Sequence, residues 1–159
     1  MIVYHGSDVI VKYPDISHSY RPLDFGKGFY ITTNREQAVR WAKRKSDLTN
    51  RATAFINEYE LSSNDFGLIV KTFADDLSEW IDFVCNCRDG GTDYLYYDII
   101  KGMVADDKVF RVVDMYHAGI WDRDRALLEI KAYPQYDQIA FISQEAINKM
   151  LTFKSAIEV

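Results

Sequence analysis

Apolar residues in this chain fall into short runs and helical stripes that follow one another without a regular period. The first run, residues 1–4, reads as a short strand ending in the polar trio His5-Gly6-Ser7, where Gly6 lets another group approach the backbone closely. The second, Phe25-Gly26-Lys27-Gly28-Phe29-Tyr30-Ile31-Thr32-Thr33, has two glycines flanking a lysine before aromatic and β-branched residues, and reads as a tight turn entering a strand that ends at Tyr30. A helix is then expected from Thr33, where Glu36 completes a capping-box pattern. It carries Ala38, Trp41 and Ala42 on one face, with Lys43, Arg44 and Lys45 in its last turn, where positive charge complements the helix dipole.

Residues 54–61 alternate as a half-buried strand with Phe55, Tyr59 and Leu61 facing one way. A helix is expected over 75–87, with Asp76 and Glu79 as a second capping box, Leu77, Trp80, Ile81, Val84 and Cys85 inward, and Arg88-Asp89-Gly90-Gly91 as its stop. Residues 97–104 suggest a buried strand interrupted by Gly102, and Ala105-Asp106-Asp107 opens a helix carrying Val109, Val112, Val113 and Tyr116 up to Gly119. A further helix spans 122–131 with Leu127 and Ile130 inward, and Pro134 closes that segment. The end of the chain reads as a strand over 138–142, a helix from Ser143 with Ile147, Met150 and Leu151 apolar, and a last edge strand over 153–159. Short strands with inserted helices, lacking βαβ alternation, argue for an α+β fold rather than a doubly wound sheet, and no Gly-x-Gly-x-x-Gly fingerprint is present. Without repeats or a Pro/Gly/Ser linker, residues 1–159 form a single domain.

Charge and composition narrow the partners. With 19 basic and 24 acidic side chains the net charge is −5, so the broad basic footprint of a nucleic-acid binder is missing. The cluster Arg40, Lys43, Arg44, Lys45 and Arg51 reads as a solvated helix end. The start carries no basic and apolar leader pattern and no apolar stretch reaches membrane-span length, so a soluble, cytoplasmic protein with no membrane partner is expected. Cys85 and Cys87 have no partner at metal-ligand spacing and read as reduced thiols, Cys85 in the core, with no metal site; His18 and His117 have no paired nucleophile.

Tyr30 and Trp41 are open to two readings, as core aromatics or as flat faces for a cationic heterocycle such as nicotinamide. The order of motifs bears on the choice: Tyr4-His5-Gly6-Ser7, the glycine turn leading to Tyr30, the helix bearing Trp41, and the late stretch Tyr136-Asp137-Gln138-Ile139-Ala140-Phe141. Taken together they resemble the ADP-ribosyltransferase superfamily, in the His-Tyr-Glu branch that includes poly(ADP-ribose) polymerases and diphtheria toxin. The chain is more closely similar to a group of small stand-alone bacterial domains regarded as toxins paired with a small antitoxin, which the segment from Asp98 through Asp107 also resembles.

The resemblance implies an ADP-ribosyltransferase-like fold, two packed and bent β-sheets forming a cleft for NAD with helices inserted around them. By the same resemblance His5 hydrogen-bonds the adenine-side ribose, Gly6 holds the nicotinamide carboxamide through its backbone, and Ser7 supports the loop or the ligand. Tyr30 stacks on nicotinamide and Trp41 covers its other face. Arg21, Asp24 and Lys27 take phosphate-binding, loop-anchoring or plain surface roles. Gln138 stands at the position of the catalytic glutamate, with His5 and Tyr30 completing the catalytic set.

That last position departs from the family pattern. Cleavage between nicotinamide and ribose develops positive charge on the sugar, which a nearby carboxylate stabilises. A glutamine hydrogen-bonds a hydroxyl but supplies no charge and no base. The implied activity is therefore mono-ADP-ribosylation of a macromolecule, foremost a protein, with NAD as co-substrate. Asp137, Glu145, Asp106 and Asp107 are alternative acids, Asp106 and Asp107 also reading as helix N-terminal residues. The competing reading is a non-catalytic module that binds NAD, ADP-ribose or a partner protein.

Overall fold

In the computed structural model, residues 1–19 and 23–159 are described. Strand β1 (Ile2–Ser7) is followed by β2 (Phe29–Ile31), helix α1 (Arg35–Thr49), β3 (Phe55–Leu61) and β4 (Val70–Thr72). Then come α2 (Ser78–Arg88), β5 (Ile99–Met103), α3 (Asp107–His117), α4 (Arg123–Ile130), β6 (Asp137–Phe141), α5 (Gln144–Met150) and β7 (Leu151–Glu158). The fold is α+β, with a three-stranded sheet in the order β1-β3-β7 and a four-stranded sheet in the order β2-β6-β5-β4. All pairings are antiparallel except β4 with β5.

Period-two alternation on β2 and β6 divides the core. Phe29, Ile31, Ile139 and Phe141 pack with Val3, Tyr59 and Leu61 of the other sheet and with Ala146, Ile147 and Met150 of α5. Their neighbours Tyr30 and Ala140 face the opposite way, into a second cluster built on Trp80, Ile81 and Val84 of α2, Val109, Val112 and Val113 of α3, and Ala126 and Ile130 of α4. The four-stranded sheet is thus covered on both faces, which is why Ile99, Ile100 and Met103 of β5 and Ile139, Ala140 and Phe141 of β6 are all buried.

Several local signals operate as read. Asp106 caps α3 by accepting from Val109 N, Asp122 caps α4, and Ser143 caps α5 by accepting from Ala146 N. Others do not. The N-cap of α1 is Asn34, whose side chain accepts from Gln37 N, because Thr33 is tied instead to Asp137. This helix runs on to Thr49 and closes on Asn50 in the left-handed region (φ 53), so Lys43, Arg44 and Lys45 lie in its interior rather than its last turn. Helix α2 starts at Ser78 after Leu77 with φ 60, and Asp76 accepts from Ser78 N in a turn instead of capping. Leu151 opens β7 rather than ending a helix. Strand β4 was not expected; three residues, two of them exposed, carry no periodic signal.

Candidate functional site

The two sheets meet at one backbone pair. Tyr4 N donates to Thr32 O and Thr32 N to Tyr4 O, each at 2.9 Å. Continued pairing would set Gly6 against Tyr30, yet the strands part, and the His5 side chain fills the split: its Nδ1 donates to Tyr30 O at 2.7 Å, and its ring lies 4.3 Å from the Phe29 ring. Since a carbonyl only accepts, the proton sits on Nδ1 and leaves Nε2 as an acceptor. Burial dominates the titration and pushes His5 down from 6.5 to about 4, with the Tyr30 carbonyl working against that and Lys45 adding to it. The imidazole is therefore neutral near neutral pH.

Alternation along β1 puts the N–H and C=O of Gly6 on the same edge as those of Tyr4, facing the gap between β1 and β2 and away from β3. Helix α1 covers the Gly6 face of β1 without intervening side chain. A Cβ on Gly6 would stand 2.1 Å from Ala38 O, 2.6 Å from Ala42 N and 2.9 Å from Trp41 Cβ. Trp41 is half-buried beside this contact. Ser7 is buried; its Oγ donates to Asp8 Oδ1 at 3.3 Å and accepts from Val9 N at 3.4 Å, and Asp8 in turn holds Thr49 and Arg51. Its role in these contacts is to fasten the loop after β1 to the end of α1.

The glycine turn is closed by the strand it feeds. Tyr30 Oη donates to Gly26 O at 2.6 Å and accepts from Phe25 N at 3.0 Å. Gly26 has φ 86 and lies under the Tyr94 ring, where a Cβ would come within 2.3 Å of Cγ, so no other residue fits. Tyr30 is only 8% exposed, packed in the core, and burial with the Asp24 charge holds its hydroxyl well above its usual pKa. The structure thus gives the Tyr30 ring the core position that was one of its two readings, and only its backbone carbonyl borders the β1/β2 gap. Lys27 is exposed at the tip of the turn, and Arg21 lies outside the described residues.

Gln138, 3% exposed, is the second residue of β6, on the Tyr30 face of the sheet. Its Nε2 donates to Asp24 Oδ2 at 3.1 Å and to Met103 O at 3.2 Å. Asp24 is buried and held by Arg88, with Nε at 3.2 Å and Nη2 at 2.5 Å from Oδ1, and by Ala105 N at 2.9 Å from Oδ2. Arg88 stacks on Phe110 with the guanidinium 3.6 Å from the ring centre. A groove of about 430 Å³ is lined by Gln138 with Asp137, Tyr136, Gly102 and Met103, and by none of His5, Gly6, Tyr30 or Trp41. What joins Gln138 to those residues is a chain of contacts: His5 to the Tyr30 carbonyl, the Tyr30 hydroxyl to the turn at Phe25 and Gly26, and the adjoining Asp24 to Gln138.

The other acids considered from the sequence are engaged elsewhere. Asp137 accepts from Thr33 N and Thr33 Oγ1, the latter at 2.6 Å, and latches β6 to the start of α1. Glu145 pairs with Lys149 on α5, Asp106 caps α3, and Asp107 pairs with Arg44 at 3.0 Å. Arg40 lies over the Tyr136 ring at 4.6 Å and Arg44 pairs with Asp107, while Lys43, Arg44 and Arg51 remain exposed to solvent. Arg88 was missed as a site residue, since in the sequence it reads only as a helix stop. Among the described residues no three of His, Cys, Asp and Glu gather around a metal-sized space, and Cys85 and Cys87 are buried free thiols. No helix among them is long and apolar enough to cross a membrane.

A family model matches residues 1–153, from before β1 into β7. The chain belongs to the DUF3990 family. That family is described as a protein of unknown function, and the match takes in every site residue named above. DUF3990 membership therefore attaches to the whole two-sheet unit. Comparison with curated proteins and with solved structures finds no match.

Proposed function

We propose that this DUF3990 chain is a mono-ADP-ribosyltransferase that uses NAD to modify a macromolecule, in the first place a protein. The observation that carries the reading is the split between β1 and β2, where a neutral His5, whose Nε2 has no partner among the described residues, adjoins the outward peptide edge of Gly6, which Trp41 borders on its other side. An amide such as the nicotinamide carboxamide both donates and accepts, which suits a peptide N–H and C=O side by side. A ribose hydroxyl donates, which suits His5 Nε2 and the Gln138 carbonyl. Trp41, half-buried beside Gly6, supplies an aromatic face against which a cationic ring gains cation–π attraction, while Tyr30 holds the glycine turn from the core. The bond between nicotinamide and the ribose carbon breaks with its electron pair leaving on nicotinamide, and the acceptor nucleophile bonds that carbon and loses its proton to solvent. In this scheme Gln138 orients the ribose, and the absence of a free carboxylate at that position makes turnover slow, by about a hundredfold to a thousandfold relative to a site with the charge. Following the resemblance, the bacterial setting proposed is that of a toxin restrained by a small antitoxin protein.

A second reading has its own support. Asp137, Glu145, Asp106 and Asp107 are all committed to other partners, which favours a module that binds NAD or ADP-ribose without turnover. Labelled NAD incubated with the purified protein and a bacterial lysate separates the two. The transferase reading expects nicotinamide release and label transfer that are lost in Gln138→Ala while its melting curve stays cooperative. Binding of NAD with neither release nor transfer leaves the reader module, and no binding of NAD overturns both.

A further inference from the structure

We infer that Asp24 is a positioning residue that locks the Gln138 amide with its oxygen outward, so that this position meets a ligand as a hydrogen-bond acceptor only and selects a hydroxyl. The ligand part rests on the ADP-ribosyl reading; the lock does not. Asp24 Oδ2 and Met103 O both lie within 3.2 Å of the same Gln138 atom, and both are pure acceptors, so that atom is the amide nitrogen whichever way a glutamine is first drawn. Both amide hydrogens are then spent. The oxygen has no hydrogen-bond partner among the described residues, yet buried unpartnered side-chain atoms there are confined to Asn86 Oδ1 and Arg88 Nη1, so Oε1 is reachable from the groove it lines.

Asp24 cannot turn away to release the amide. One oxygen is held twice by Arg88 and the other once by Ala105 N, and its carboxylate is buried. This arrangement also accounts for glutamine where the resembling family has glutamate. A carboxylate at position 138 would face the Asp24 carboxylate and the Met103 carbonyl with no hydrogen to offer either, and like charges at hydrogen-bond distance repel. The site keeps one negative charge but carries it one side chain deeper, on Asp24, while Gln138 passes on only an acceptor. A hydroxyl is accommodated there; a phosphate, carboxylate or carbonyl is repelled by the outward oxygen.

The lock is tested on the protein without ligand by thermal melting of Gln138→Glu, Asp24→Asn and the double variant at pH 8. Gln138→Glu is expected to melt well below the parent, and Asp24→Asn in the same chain to restore at least half of that loss, since the amide introduced at position 24 offers an N–H to the carboxylate introduced at position 138. A Gln138→Glu variant melting with the parent, or a double variant no better than the worse single, overturns the lock. Should Gln138→Glu not fold, nitrogen-15 spectra of the parent decide: both Gln138 side-chain hydrogens are expected to be slow in exchange, and fast exchange of both refutes it. The ligand arm titrates ADP-ribose into the parent and Gln138→Leu, with a loss of tenfold or more in affinity expected. Equal binding by both refutes the acceptor role while leaving the lock, and no binding of ADP-ribose to a parent that passes the melting test refutes the ADP-ribosyl reading instead.

Discussion

Replacing Gly6 with alanine drives a methyl group into the backbone of α1. The contacts at 2.1 Å to Ala38 O and 2.6 Å to Ala42 N are with main-chain atoms, and the third, at 2.9 Å, is with Trp41 Cβ, so no rotamer change relieves them. The helix has to lift off β1. Overpacking of a well-filled interior costs about 1–3 kcal/mol, and a clash confined to main-chain and Cβ atoms belongs at the top of that range, ~3 kcal/mol. For a chain of this size ~3 kcal/mol lowers the melting temperature by ~6–12 °C, at ~2–4 °C per kcal/mol. Circular dichroism melts at fixed pH read this directly, with Gly119→Ala as the control. Gly119 has φ 75 but nothing within 4 Å of its would-be Cβ, so only backbone strain acts there; that strain is ~1–2 kcal/mol. Gly6→Ala melting at or above Gly119→Ala would refute the close approach of α1 to β1. A variant with full stability and lost NAD binding would show that glycine serves only a ligand here.

Three further outcomes follow from the same contacts. Because His5 is neutral down to about 4 when folded and titrates near 6.5 when unfolded, the unfolded state binds more protons in that window; stability is complete above it and falls as pH drops through it, by at most ~3 kcal/mol and less for a half-buried ring. Urea midpoints of His5→Asn against the parent from pH 7 to 4 should show that part of the slope removed. Tyr30→Phe strips the partner from Gly26 O and Phe25 N, both in buried residues, and should cost ~2 kcal/mol in urea unfolding; no loss would mean the turn closes without the hydroxyl. Arg88→Met leaves the buried Asp24 carboxylate without its ion pair and should cost ~3 kcal/mol or more, whereas an unchanged denaturation midpoint would place that carboxylate in water.

What was legible in the sequence is what short-range physics decides. Asp106 and Ser143 cap α3 and α5 because their oxygens reach amides three residues on, β3 alternates because one face lies against a core, and the run 139–141 of β6 is apolar because both its faces do. The failures have long-range causes. Thr33 carries a good capping sequence, but Asp137, 104 positions later, takes its N–H and hydroxyl, and the cap passes to Asn34. Strand β4 exists because β5 offers a parallel edge, and nothing within Val70–Thr72 announces it.

The same limit explains the site. His5, Gly6 and Tyr30 could be picked out as candidates only by the order and spacing of their motifs and the resemblance these carry, since neither His-Gly-Ser nor the glycine turn is distinctive alone. Arg88 could not, since its meaning lies in Asp24, 64 positions earlier. Gln138 sits between these cases. On its own it reads as a defect, a neutral amide where charge is wanted. Set 3.1 Å from Asp24, it becomes the outer half of a pair whose inner half keeps the charge. If the proposed transfer reaction runs here, its rate depends on how much of the field of Asp24 survives neutralisation by Arg88, which makes Arg88 as well as Gln138 the place to look for control. A variant that leaves a hydrogen-bond donor at position 88 but removes its charge, such as Arg88→Gln, should raise nicotinamide release if the buried charge acts through the amide; a fall in release with the fold intact would mean that the carboxylate serves only to hold Gln138 in place.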